Sequence, residues 1–92
     1  MSDQVRAEFN ISGRVQGVGF RFFVIERARR LNMSGYVSNN IDGTVEVVAE
    51  GDQQDINTLH EYLKQGPMMA HVENCKVTTK ESTGEFRGFD VR

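Results

Sequence analysis

The sequence has little with which to staple or anchor itself. Cys75 is the only cysteine among 92 residues, so no internal disulfide can form, and a lone thiol suits a reducing compartment. Tryptophan is absent and Pro67 is the only proline. No apolar run approaches the ~20 residues of a membrane-spanning helix. Met1 to Ala7 are polar and charged, without the apolar centre of a signal peptide. These absences lead us to expect a cytoplasmic protein with no membrane partner. Positive charge is also in short supply: 11 Lys and Arg against 13 Asp and Glu leave a formal net charge of -2. That balance gives no broad attraction for nucleic acid, although it leaves room for a local basic pocket. His60, His71 and Cys75 have no neighbours at metal-ligand or nucleophile spacing, so we expect no metal and no cofactor and assign the three no role.

What remains is an ordinary globular composition, 38% hydrophobic and 26% charged, with six Phe as the main core formers. A chain of this length supports one core and has no room for a separate substrate domain, so we read residues 1–92 as one domain. An active site would sit on the edge of that core, and a monomer is expected.

The apolar periodicity divides the chain into elements. Val5 to Ile11 alternates apolar and polar residues, predicting a strand. A glycine-bearing loop spans Gly13 to Gly19. Phe20, Val24, Ala28 and Leu31 then recur at helical spacing, and Asn32 is suited to the left-handed conformation that stops a helix. Gly35 opens a second strand to Asn39. Asp42-Gly43 marks a hairpin turn before a third strand in which Val45, Val47 and Ala49 alternate with Glu46, Val48 and Glu50. Gly51 is expected to break that strand and Asp52 to cap a second helix. Its stripe is Ile56, Leu59 and Leu63, and its stop is Gly66-Pro67. Val72, Cys75 and Val77 predict a fourth strand, with a change of parity that indicates a bulge. Phe89 and Val91 predict a short fifth. The order β-α-β-β-α-β plus a terminal strand predicts an α+β fold, the ferredoxin-like or split βαβ sandwich. Two helices would cover one face of a largely antiparallel four- to five-stranded sheet.

The chemistry concentrates in Gly13-Arg14-Val15-Gln16-Gly17-Val18-Gly19-Phe20-Arg21. Three glycines join a strand to a helix, and an arginine stands in the first helical turn. Glycines let successive backbone N–H groups point inward, the helix start adds partial positive charge, and a guanidinium grips phosphate oxygens with two parallel bonds. The loop therefore suits a phosphate. It lacks the Lys-Ser or Lys-Thr of a nucleoside-triphosphate loop and does not match a dinucleotide fingerprint.

This stretch, followed by Gly35-Tyr36-Val37-Ser38-Asn39 and Asp42-Gly43-Thr44-Val45-Glu46, resembles the two signatures of the acylphosphatase family in order and spacing. Tyr36 stands where many relatives have tryptophan, Asn32 where glycine is common and Gly19 where some have cysteine. None of these removes a group the chemistry requires. The resemblance implies hydrolysis of the carboxyl-phosphate anhydride of acyl phosphates, with inorganic phosphate as product and competitor. It implies that Arg21 binds the phosphate, that Asn39 orients the attacking water, and that the backbone amides of Gln16, Gly17, Val18, Gly19 and Phe20 form the cradle. Acetyl phosphate, carbamoyl phosphate and 1,3-bisphosphoglycerate are the candidate substrates by the same resemblance.

The competing reading is a non-catalytic ferredoxin-like module that binds RNA or a small anion. An RNA reader of this architecture carries aromatic platforms on its central strands and a basic surface, whereas these strands carry Phe9, Ile11, Val45 and Val47. A second alternative is an acylphosphatase-like domain of a larger maturation enzyme. We expect a free-standing enzyme, with no zinc-finger cysteines after Arg92. Four other features read differently in isolation. Arg27-Ala28-Arg29-Arg30 reads as a solvated helix face, His60 and His71 as structural or solvated, and Cys75 as a core or half-buried thiol. Phe22, opposite its helix stripe, is left open between an exposed aromatic and a rim contact.

Overall fold

In the computed structural model, residues 4–92 are described; Met1 to Asp3, part of the polar opening segment, lie outside the described residues. Alternation in Val5–Ile11 produces β1 (Gln4–Arg14), and the helical stripe produces α1 (Phe20–Arg30). There follow β2 (Ser34–Asn39), β3 (Val45–Asp52), α2 (Gln53–Gln65), β4 (His71–Glu81) and β5 (Phe89–Val91). The sheet order is β4-β1-β3-β2-β5. Its first four strands pair antiparallel, and β5 runs parallel to β2. Each helix thus connects two strands separated by a third, which is the split βαβ arrangement.

Register places one residue in two on the helix side. Ala7, Phe9 and Ile11 of β1 oppose Ala49, Val47 and Val45 of β3, and Val37 of β2 opposes Val47. All of these are buried in one cluster with Phe20, Phe23, Val24 and Ala28 of α1 and Ile56, Leu59 and Leu63 of α2. Burying each of the large side chains stabilises the fold by roughly 1.5–3 kcal/mol. Phe9 therefore serves the core and does not form a base-stacking platform.

The helix ends follow local chemistry. Asn32 takes φ 55°, its N–H bonds to Arg29 O, and Met33 N–H reaches back to Ala28 O. This is a Schellman stop, with Met33 and Ala28 both buried in the core cluster. The bulge lies where parity changes: Ser12 pairs with Asn74 but Gly13 with Val72, leaving Glu73 as the extra residue. Gly13, at φ 120°, is required there, because a Cβ would meet His71 O at 2.2 Å.

Two expectations at the end of β3 fail. Gly51 continues the strand opposite Val5, because paired extended backbone needs no side chain. Asp52 holds the N-cap position without a side-chain cap bond; its carboxylate accepts from Gln4 Nε2 at 2.7 Å instead. The arginine run also differs. Arg29 and Arg30 are both exposed, as a solvated face requires, but Arg27 and Arg29 also have partners. Arg27 stacks on Phe23 at 3.8 Å, and Arg29 donates to Phe89 O from Nε at 3.2 Å and Nη2 at 2.9 Å, tying α1 to β5.

Glu50 is the largest departure from simple alternation, since it is 3% exposed on the face away from the helices. Residues 82–88 cross that face. The carboxylate accepts from the N–H groups of Thr83 and Gly84 at 3.0 and 2.9 Å, from the hydroxyls of Thr83 and Ser82, and from Arg6. Arg6 in turn bonds Glu8 and Glu85. Burial alone would raise the Glu50 pKa, but these donors outweigh it and hold the group at about 2. The unfolded carboxyl, near 4.5, takes up its proton first. The stability Glu50 contributes is therefore complete above that value and is lost as pH falls toward 2. Glu50→Gln should cost roughly 1–3 kcal/mol at neutral pH, since one acceptor oxygen is replaced by a donor facing donors. Urea denaturation at pH 7 and at decreasing acid pH tests this: the variant should lose less stability on acidification than the wild type, and parallel losses would acquit Glu50.

Candidate active site

The loop between β1 and α1 is built from its glycines. Gly17 and Gly19 take φ 74° and 79° on either side of Val18, which turns the chain sharply enough to face its amides inward. Among the described residues, no acceptor is bonded to the N–H groups of Gln16, Gly17, Val18, Gly19 or Phe20. The first turn of α1 carries no acidic residue, so no side chain of that turn neutralises the partial positive charge of the helix start. Arg21, its second residue, is exposed. Unpaired donors, a helix start and a guanidinium are together the groups that can hold an anion with several oxygens.

Asn39 reaches this loop through sheet register. It pairs with Val45, and Val45 pairs with Ile11, so Asn39 lies in the same row as the end of β1 from which the loop rises. Two bonds then lock the loop to the hairpin turn beyond Asn39: Gln16 Nε2 donates to Asn40 O at 2.8 Å and to Thr44 O at 2.9 Å. The turn is itself closed, with Asn40 N–H on Thr44 O at 2.8 Å and Thr44 N–H on Asp42 Oδ1 at 3.0 Å. Asn39 Oδ1 is buried and accepts no hydrogen bond from the described residues. A buried acceptor left without a donor carries a desolvation cost of roughly 1–3 kcal/mol, which a ligand or water donor would relieve.

Arg21, Asn39, Gly17, Gly19 and Phe20 line one cavity of about 380 Å³, together with Val15, Phe22, Ile25 and Val91. Of the residues expected at the site, Gln16 and Val18 are the two outside this lining. Gln16 turns its side chain to the hairpin, and Val18 packs half-buried against the core. The side-chain brace of Gln16 was not legible in the sequence, where only its amide had a role. Phe22 resolves as a rim residue.

No Asp, Glu, His or Cys lines the cavity, and among the described residues no three such side chains are grouped to hold a metal ion. His60 packs its ring 5.4 Å from Phe9. His71 is exposed at the start of β4. Cys75 is half-buried beside the core, and burial pushes its thiol up to about 11, far from a reactive thiolate. None of the three borders the cavity.

The acylphosphatase family model matches residues 7–91, nearly the whole chain and both loops of the site. The chain belongs to the acylphosphatase family. It is 45% identical over 87 residues to an acylphosphatase of Salinibacter ruber, covering 95% of this chain and 92% of that one. With an acylphosphatase of Methanocella arvoryzae it shares 49% over 82 residues, covering 89% and 92%. Among solved structures, an acylphosphatase from Bacillus subtilis superposes with a TM-score of 0.92 at 34% identity, covering 96% of this chain and 98% of that one. One from Coxiella burnetii gives 0.91 at 36%, covering 98% and 94%. Full-length HypF in a phosphate- and nucleotide-bound form also matches, at 0.91 and 31%, covering all of this chain and 12% of that one. The ferredoxin-like fold and the enzymatic reading both hold. Nothing in these relatives favours the non-catalytic module.

Within the acylphosphatase frame, the Gln16 brace has a measurable consequence. Gln16→Leu keeps bulk but removes both donors, so kcat/KM on an acyl phosphate should fall roughly tenfold or more as loop and turn lose their mutual alignment. Gln16→Glu should fall further, because its carboxylate would face the Asn40 and Thr44 carbonyls. Steady-state kinetics of the two variants decide it, and an unimpaired Leu variant would show the brace to be dispensable.

Proposed function

We propose that Arg21 and the amides of Gln16 to Phe20 hold the phosphate of an acyl phosphate while Asn39 orients the water that attacks it. As a member of its family the chain hydrolyses the carboxyl-phosphate anhydride of acyl phosphates. The observation that carries the residue assignment is the buried, unpartnered Asn39 Oδ1, in one cavity with Arg21 and the loop glycines. A carboxamide oxygen accepts an O–H from water and so aims the water's lone pair at phosphorus. The water oxygen attacks phosphorus in line with the scissile bond. The phosphorus–oxygen bond to the acyl group breaks, and the acyl oxygen departs with the electron pair as carboxylate. The water proton passes to a phosphate oxygen, giving inorganic phosphate.

The leaving group explains the sparse machinery. A carboxylate, with a conjugate-acid pKa of about 4, departs without a general acid. Charge on the phosphoryl oxygens falls to the amides, the helix start and Arg21, so the reaction proceeds without a metal or other cofactor. Inorganic phosphate competes for the same cradle. Residues 1–92 act as one domain and as a monomer. Cytoplasmic residence suits the lone half-buried thiol, and among the described residues no helix is long and apolar enough to cross a membrane.

The test is turnover of a synthetic acyl phosphate and of an alkyl phosphate monoester, each with excess chelator. Acyl phosphate should be cleaved undiminished, with phosphate as a competitive inhibitor, and the monoester left nearly intact. Activity abolished by chelation and restored by magnesium would falsify the metal-free cradle. Equal rates on both substrates would reveal a general acid that this scheme lacks.

A further inference from the structure

The phosphate chemistry uses only half of the cavity. Gly17, Gly19, Phe20, Arg21 and Asn39 belong to the cradle and its water site; the remaining wall is Val15, Phe22, Ile25 and Val91. Phe22 is 73% exposed and Val91 46% exposed. The other exposed large apolar residues, such as Ile41, Met68 and Met69, are not part of this cavity's lining. Two elements converge to build the wall. Phe22 and Ile25 stand three residues apart on α1, which places them side by side, and Val91 comes from β5, held against β2 by the Val37–Val91 pair. Val91 thus sits one row from the strand that carries Asn39. Arg29, bonded to Phe89 O, keeps β5 at the flank of α1.

We propose that Phe22, Ile25 and Val91 form the acyl-group subsite, and that the preferred substrates are acyl phosphates with an apolar, preferably aromatic, acyl group. The inference rests on the hydrolytic reading above and extends it from the phosphate to the other end of the substrate. With the phosphate in the cradle, the cavity's remaining lining, this wall, is what the acyl group can rest against. An exposed phenyl ring gains from covering by another ring or chain, as apolar surface leaves water and the rings stack. Charge selects in the same direction. Arg21 is the only cationic side chain in the lining, and the phosphate engages it. A second phosphate or carboxylate on the acyl group would meet Phe22 and Val91 and lose hydration without a partner. A very small acyl group would leave the wall uncovered.

Phe22→Ser and Val91→Thr test the subsite, with benzoyl phosphate and acetyl phosphate as substrates and inorganic phosphate as inhibitor. Phe22 is exposed, so its removal leaves the core intact, and circular dichroism checks both variants. In Phe22→Ser, kcat/KM on benzoyl phosphate should fall about tenfold. The acetyl phosphate value and the phosphate inhibition constant should stay within about twofold. Val91→Thr should shift the same ratio less. Equal losses on both substrates, or no loss on either, overturn the subsite, as does a weakened phosphate inhibition that accounts for the change. Wild-type protein that cleaves neither acyl phosphate overturns the hydrolytic reading itself and this inference with it.

Discussion

Arg21→Ala is expected to lower kcat/KM on an acyl phosphate roughly a thousandfold and to weaken competitive inhibition by inorganic phosphate in parallel. Among the described residues the guanidinium is the only full positive charge bordering the cavity, and the loop amides supply only partial charges. In the proposed mechanism it contacts the phosphoryl oxygens in the ground state and more strongly in the transition state, so KM and kcat should both suffer. Arg21→Lys should rescue only a small part, because a compact ammonium cannot make the planar two-point contact. The residue is exposed and makes no side-chain bond to the described residues, so the fold should be unaffected. A folded Arg21→Ala enzyme that binds phosphate normally would remove Arg21 from the cradle.

Asn39→Ala should separate binding from chemistry. If the side chain orients the water as proposed, its loss should lower kcat by roughly a hundredfold or more while phosphate inhibition changes little. Asn39→Asp sharpens the test. A carboxylate there would still accept from water but would repel the bound phosphate, adding a binding defect that the Ala variant lacks. Removing a buried, unpartnered oxygen relieves its desolvation cost, so Asn39→Ala should melt at or above the wild-type temperature. That opposition of activity and stability is the signature to look for. Near-normal turnover in a folded Asn39→Ala protein, or phosphate affinity as poor as that of Arg21→Ala, would show that the water-orienting assignment is wrong.

Much of the fold was legible because its determinants are local. The stripes Phe20-Val24-Ala28 and Ile56-Leu59-Leu63 bury as their spacing requires. Asn32 stops α1, and the parity change in β4 marks the bulge that Gly13 accommodates. Where the local reading failed, a distant segment intervened. Glu50 alternates like a solvated residue but is covered by residues 82–88, more than thirty positions away. Arg29 resembles a surface charge until β5 arrives to offer the Phe89 carbonyl.

The site divides along the same line. Sequence alone determined the shape of the loop before α1, since Gly17, Gly19, the helix start and Arg21 lie within five residues and their geometry follows from glycine's freedom at positive φ. Only the tertiary structure decided what stands opposite that loop. The row Ile11–Val45–Asn39 brings Asn39 to it across the sheet, Gln16 locks the two together, and β5 delivers Val91 to face Phe22. Strand pairing at long sequence separation sets these positions. It depends on which hydrophobic faces bury together over the whole chain, and no short window of sequence contains that information.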